Sequence, residues 1–194
     1  MSVETENFHD RGNVLEPIII GCALPYNVDR TEPGQPAGTV QRFAPNCCAD
    51  AIRRHQIELN IDHNFDEEFL VDQRHGRLHV WENVAGLYFL ARLPATAHSQ
   101  TVIDRMLMPD RRPSFHPKTN EPFGLRVCCG AGRVQSRRDA QGRDLVWSYE
   151  LLQFSLLLTS EGCFPTSWAL PVNYDSRWRL QRELAAAETV AQAS

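Results

Sequence analysis

The amino-acid sequence predicts an α+β domain built on a mostly antiparallel β-barrel with peripheral helices. Residues 57–61 alternate apolar and polar side chains, with the period of two that is typical of a half-buried strand. Residues 77–83 and 87–93 are two more strand-like runs, and the short Val-Ala-Gly connection between them indicates a hairpin. Helical patterns are confined to about three segments, so we expect helices at the periphery of a sheet.

The chain before the first alternating strand shows a strand, a loop and a helix. Residues 17–27 form a β-branched run broken by glycine and proline, which suits a strand leading into a turn. Residues 28–40 contain two glycines and two prolines and predict a surface loop. Residues 45–56 predict a helix with Asn46 as its N-cap.

Two more helices and a β-rich region are predicted after the hairpin. Apolar residues recur at helical spacing in 96–110, where Pro109 would end the helix. Residues 123–134 and 145–160 are strand-like and are separated by a charged turn. The alanine-rich segment 175–192 has a helical composition.

These patterns divide the 194 residues into one domain with two appendages. Residues 1–16 predict a flexible arm, because too few of them are apolar to pack. Residues 17–172 would form the β-barrel domain, and residues 173–194 a C-terminal helix and tail.

The charge balance argues against two classes of partner. There are 20 Lys and Arg against 24 Asp and Glu, which gives a net charge of −4. This balance provides no basic surface for nucleic acid or for an anionic membrane. The N-terminal segment has no apolar core of a signal peptide, and no apolar run approaches the roughly 20 residues of a membrane span. We therefore expect a cytosolic protein that binds neither partner.

The cysteines are expected to be reduced thiols and to bind no metal. Two adjacent pairs lack the C-x-x-C spacing of zinc and redox sites. Adjacent residues on a strand point to opposite faces, so neither pair would readily supply two ligands to one ion. The six cysteines are Cys22, Cys47, Cys48, Cys128, Cys129 and Cys163.

Two residues are candidates for nucleophilic chemistry, which needs a nucleophile and a base within hydrogen-bonding reach. His63 follows an alternating strand, where side chains can project into a cleft, and an acidic loop comes after it. Ser114 lies in an extended, proline-flanked segment next to Arg111 and Arg112, which could stabilise an oxyanion. From the residues alone, a solvated histidine and a basic surface loop are the simpler interpretations.

Five short motifs follow one another between residues 17 and 170. They are GCALPYN, QRFAPNCCADAI, IELNIDHN, the segment from VAGLYFLARL through a helix to RRPSFHP, and LLQFSLLLTS. In this order they resemble the prohead serine protease family of tailed bacteriophages, whose barrel is similar to that of assemblin, the herpesvirus capsid-maturation protease. The resemblance implies an assemblin-like fold.

The resemblance also implies that His63 is a general base and Ser114 a nucleophile. The family's acidic residue aligns with Gln153, and the nearest glutamate, Glu150, would lie on the opposite face of an ideal strand. A glutamine can orient an imidazole but cannot stabilise its charged form. Four alternatives stay open: Glu150 acts through a β-bulge, Gln153 faces the site, His116 or another residue substitutes, or the protein is weakened or inactive.

The implied activity is a serine endopeptidase of prohead maturation, encoded by a phage or prophage. Its substrates would be the scaffolding segment of the capsid protein and the protease itself, with other prohead proteins as further partners. It would act in the cytoplasm of the bacterial host, inside assembling proheads, without any cofactor. Formation of a homo-oligomer is left open. The competing function is that of a protease-like structural protein of the assembling capsid.

Overall fold

The structure, a computed structural model, describes most of the central part of the chain. The predicted N-terminal arm, except Glu16, and the predicted C-terminal helix lie outside the described residues. The structure describes residues 16–31, 39–54, 56–63, 70–106, 113–115, 122–158 and 167–172, of which 113–115 and 122–124 are described for the backbone only.

A six-stranded antiparallel sheet forms the first layer. Its strand order is β5-β6-β1-β11-β8-β7. The predicted hairpin of β5 and β6 forms with the expected short turn, and β1 lies between β6 and β11. The strands are β1 (Ile18–Pro25), β5 (Leu78–Asn83), β6 (Gly86–Arg92), β7 (Pro113–Phe115), β8 (Pro122–Leu125) and β11 (Trp168–Pro171).

A five-stranded sheet forms the second layer, and β10 is its central strand. β9 pairs antiparallel with β10 on one edge. On the other edge, β2 and β3 both run parallel to β10, β2 near its beginning and β3 near its end. β4 completes the order β2-β10-β3-β4. The strands are β2 (Gln41–Phe43), β3 (Glu58–Ile61), β4 (Val71–Asp72), β9 (Val127–Arg138) and β10 (Asp144–Leu156).

Two helices are present among the described residues. α1 (Ala49–Arg54) connects β2 to β3 and is shorter than the predicted helix. Asn46 was the predicted N-cap, but it has a left-handed backbone with a φ of 64° and lies in the turn before the helix. α2 (Ala97–Met106) follows β6 and begins after Thr96, whose hydroxyl accepts a hydrogen bond from the Ser99 amide. Neither described helix is long and apolar enough to cross a bilayer.

The prediction of an α+β protein with mostly antiparallel strands is confirmed, but the prediction of a closed barrel is wrong. The two sheets formed by the described residues do not close into a barrel. Alternation and hairpin turns predict which neighbouring strands pair. Closure also requires the two end strands of a sheet to pair, with matching tilt and stagger, and no local pattern specifies this.

The hydrophobic core lies between the two sheets. The rings of Phe89 on β6 and Phe154 on β10 stack across the layers, with centroids 4.9 Å apart. Gly21 on β1 gives Phe89 the space for this contact. A Cβ atom on Gly21 would lie 2.5 Å from the Phe89 ring and 2.5 Å from the Trp168 carbonyl oxygen. The motif GCALPYN therefore requires glycine at position 21 so that Phe89 and Trp168 can pack against β1.

We expect Gly21→Ala to lower the free energy of unfolding by about 1–3 kcal/mol, the usual cost of overfilling a packed interior. Urea denaturation of the purified chain measures this. Gly132→Ala is the matched control, because its tightest contact would be with the carboxylate end of the Glu150 side chain, at 3.0 Å, and Leu152 Cδ1 would lie at an ordinary 3.4 Å. Equal losses in the two variants would contradict the packing role of Gly21.

Candidate active site

His63 lies just beyond β3, in a tight turn with unusual backbone geometry. Asp62 and His63 both have positive φ values, 47° and 58°. The Asp62 amide donates a hydrogen bond to the Leu156 carbonyl at 3.0 Å, which ties the turn to the end of β10. Consecutive left-handed residues other than glycine are uncommon and concentrate at functional sites, where surrounding contacts hold them.

The side chain of Ser155 on β10 holds His63 in place at two atoms. The His63 amide donates a hydrogen bond to Ser155 Oγ at 3.2 Å. Ser155 Oγ also lies 3.3 Å from His63 Nδ1. Ser155 is fully buried, whereas His63 is half-buried. The histidine ring is thus attached to a rigid strand on its Nδ1 side.

A chain of buried hydrogen bonds continues from Ser155 into the sheet. The Ser155 hydroxyl donates to Asn60 Oδ1, and Asn60 Nδ2 donates to Gln153 Oε1 at 2.7 Å. A serine hydroxyl has a single proton, which Asn60 receives here. The contact with His63 therefore requires imidazole Nδ1–H to donate to Ser155. This tautomer leaves Nε2 unprotonated, the form in which it can accept a proton.

Burial favours the neutral form of His63. Desolvation lowers the pKa of the imidazole from its ordinary 6.5, and the nearby Asp62 carboxylate partly opposes this shift. At neutral pH the ring is therefore mostly uncharged. A general base needs this uncharged state before the reaction begins.

Gln153 approaches β9 at a glycine. It is paired with Gly130, where a Cβ atom would lie 2.6 Å from the Gln153 side chain. Within the described part of the chain, the buried Gln153 Nε2 has no hydrogen-bond partner. An unpaired buried donor costs about 1–3 kcal/mol. The glutamine is therefore less well accommodated on its amide nitrogen side than on its oxygen side.

Glu150, the alternative acid, is directed elsewhere. The pairing of β9 with β10 is irregular at two places here. Between Tyr149 and Leu151 the extra residue is on β9, and between Leu151 and Gln153 it is Leu152 of β10. Although the Leu152 bulge lies where the Glu150 alternative requires one, the Glu150 carboxylate pairs with Arg54 of α1 at 2.6 Å.

Ser114 lies on β7, at the edge of the first sheet, and its side chain is outside the described atoms. The pairing of β7 with β8 is irregular between Pro113 and Phe115, and the extra residue is on β8, opposite Ser114. Bulges are common beside active sites, where they redirect side chains. His116 lies outside the described residues, and so do Arg111 and Arg112.

The strand registers relate β7 to the His63 turn, because β8 pairs with β7 and continues after one residue into β9 of the second sheet. Pro113 is opposite Leu125 at the end of β8. Two residues later, Val127 begins β9 opposite Leu156 of β10, and Leu156 is opposite Ile61 of β3. The Leu125–Val127 segment therefore connects β8, the partner of the strand with Ser114, to β9, which lies two strands away from β3 and the His63 turn.

Sequence reasoning named neither Ser155 nor Asn60 as a site residue. Ser155 does lie in the last of the five motifs, LLQFSLLLTS, and the alternation of β10 places it with Gln153. Asn60 is a polar residue in the alternating strand, and a half-buried strand would place it on the face opposite the core. Its relative exposure is only 5%. A buried asparagine beside a candidate base is visible only once β3 and β10 are paired.

Searches of family models, curated proteins and solved structures find no match to this chain.

The lowered pKa of His63 predicts a pH-dependent stability. Between the folded and unfolded pKa values the unfolded chain binds more protons, so stability is complete above about pH 6.5 and declines as the pH falls below it. His63→Gln should remove this part of the decline. Urea denaturation of both proteins at about pH 8 and about pH 5 measures the difference. An identical pH dependence would contradict a buried, neutral His63.

Proposed function

We propose that the protein is a serine endopeptidase of the prohead-maturation type. The observation that supports this best is the arrangement of His63. A neutral imidazole is held at Nδ1 by Ser155, which leaves Nε2 as the basic nitrogen. Serine peptidases use this division of roles between the two nitrogens.

In the proposed reaction, Ser114 attacks the carbonyl carbon of the scissile peptide bond. His63 Nε2 takes the proton of the serine hydroxyl as the new C–O bond forms. The imidazolium then protonates the leaving amine, and a water molecule hydrolyses the acyl-enzyme with the same base. The bulge of β8 opposite Ser114 and the Leu125–Val127 connection between β8 and β9 support a common location for the two residues.

The orienting group in this proposal is neutral. Ser155 fixes the ring, and Asn60 and Gln153 fix Ser155. Hydrogen bonds of this kind set the tautomer but provide little stabilisation of the imidazolium that forms during attack. We therefore propose a peptidase with a lower rate than one that has a carboxylate at this position.

The proposed substrates are the scaffolding segment of the capsid protein and the chain itself, cleaved inside assembling proheads. The order of the five motifs supports this choice. A protease-like structural protein of the capsid is the alternative, and the uncharged group at Gln153 favours it. Loss of cleavage in a nucleophile variant distinguishes the two.

We expect Ser114→Ala to reduce cleavage of the co-expressed capsid protein by about 10⁴-fold or more, because the nucleophile is lost. Mass spectrometry of the capsid products measures this. Ser136→Ala, at an exposed position on β9, is the control and should process normally. If wild type and Ser114→Ala both leave the capsid protein uncleaved, the structural alternative is correct.

We expect Gln153→Glu to raise the cleavage rate by about tenfold or more, because a carboxylate would stabilise the imidazolium through Asn60 and Ser155. Glu150→Gln is the matched control and should have little effect, since Glu150 pairs with Arg54. Single-turnover cleavage of a scaffold peptide measures both rates. A large loss in Glu150→Gln would identify Glu150 as the acid, and no change in either variant would exclude both.

A further inference from the structure

Two cysteines and a glutamate come together at the beginning of α1, away from the residues used above. Cys47 Sγ and Cys48 Sγ are 3.8 Å apart. Together with a carboxylate oxygen of Glu82 on β5, they form a group of atoms that all lie within 4.8 Å of one another. Both cysteines are buried, and Glu82 is half-buried.

The local backbone explains how adjacent cysteines face the same way. The expectation that they diverge applies to a strand, but Cys47 and Cys48 lie in the turn that precedes α1. The left-handed Asn46 shapes this turn. The Tyr149 amide of β10 donates to the Cys47 carbonyl at 2.8 Å, which fixes the turn to the second sheet.

Glu82 is held so that its carboxylate faces the thiols. Its Oε1 accepts hydrogen bonds from the Cys48 amide, at 2.9 Å, and from the Tyr26 hydroxyl. Among the described residues, no cationic side chain pairs with Glu82, and its second oxygen accepts no hydrogen bond. The two thiols have only each other as side-chain hydrogen-bond partners in the same part of the chain.

These distances match the requirements of a thiophilic cation. In a tetrahedral zinc site with Zn–S bonds of about 2.3 Å, two sulfur ligands are about 3.8 Å apart. Thiolate and carboxylate are both common zinc ligands, and thiolates select such ions over magnesium and calcium. A divalent cation would also neutralise the negative charge of the Glu82 carboxylate, which no cationic side chain among the described residues does.

We propose that Cys47, Cys48 and Glu82 bind one zinc ion, with water as the fourth ligand. Binding converts both thiols to thiolates and releases two protons to solvent, so that two Zn–S bonds replace two S–H bonds. The ion joins the start of α1 to β5, and so joins elements attached to different sheets. This site does not depend on the proposed peptidase activity.

The test uses the full-length chain, purified with a reductant and treated with a chelator. After addition of zinc chloride and gel filtration, metal analysis should give one zinc per wild-type chain. Cobalt chloride should give the near-ultraviolet charge-transfer absorption of two thiolate ligands. Zinc should also raise the midpoint of thermal unfolding, because it binds the folded chain preferentially.

Ligand variants should weaken zinc binding by more than about 100-fold, since even the loss of a group that only orients a ligand costs about 10–100-fold. These variants are Cys47→Ser, Cys48→Ser and Glu82→Gln. Cys22→Ser is the matched control, a buried cysteine on β1 outside the cluster, and it should bind zinc normally.

Three results would overturn the site. They are no stoichiometric zinc in wild type, equal affinity in wild type and Glu82→Gln, or a chain in which Cys47 and Cys48 form a disulfide under these reducing conditions. If a serine variant fails to fold, the wild-type chain still tests the site. The intensity of the cobalt charge-transfer absorption gives the number of bound thiolates, and a value other than two would overturn the proposal.

Discussion

The parallel pairing of β3 with β10 is the constraint on which the rest of the structure depends. Its register sets Leu59 opposite Phe154, which packs in the core, and Asn60 opposite Ser155, which carries the polar chain to His63. Side chains alternate along a strand, so a shift of one residue would exchange these faces. One register therefore determines both the packing between the sheets and the position of the candidate base.

Burial of this polar chain is costly unless each group finds a partner. Ser155 uses its donor and both acceptor positions, and Asn60 is bonded through its oxygen and its nitrogen. Gln153 is the exception, because its nitrogen is unpaired among the described residues. An apolar residue of similar size would avoid that cost. Gln153 is better explained by the hydrogen bond that its Oε1 accepts from Asn60 than by its own contribution to stability.

Local patterns were sufficient for the elements whose structure depends on near neighbours. Alternation predicted β3, and a short connection between two apolar runs predicted the β5–β6 hairpin. Contacts between distant segments were not predictable in this way. The turn before α1 depends on Tyr149 and Glu82, which are far from it in sequence, so the convergence of Cys47 and Cys48 has no local signal. Sheet closure failed as a prediction for the same reason.

The bulge of β10 at Leu152 shows why strand geometry alone could not choose between Glu150 and Gln153. A bulge near Leu151 was the condition for bringing Glu150 to the histidine, and irregular pairing is present there. Glu150 nevertheless pairs with Arg54, while Leu152 is exposed and Gln153 is buried beside Asn60. A bulge changes the direction of a side chain, but the available partners determine where it is held. Arg54 offers Glu150 an ion pair near solvent, whereas a place beside His63 would require the carboxylate to lose most of its hydration.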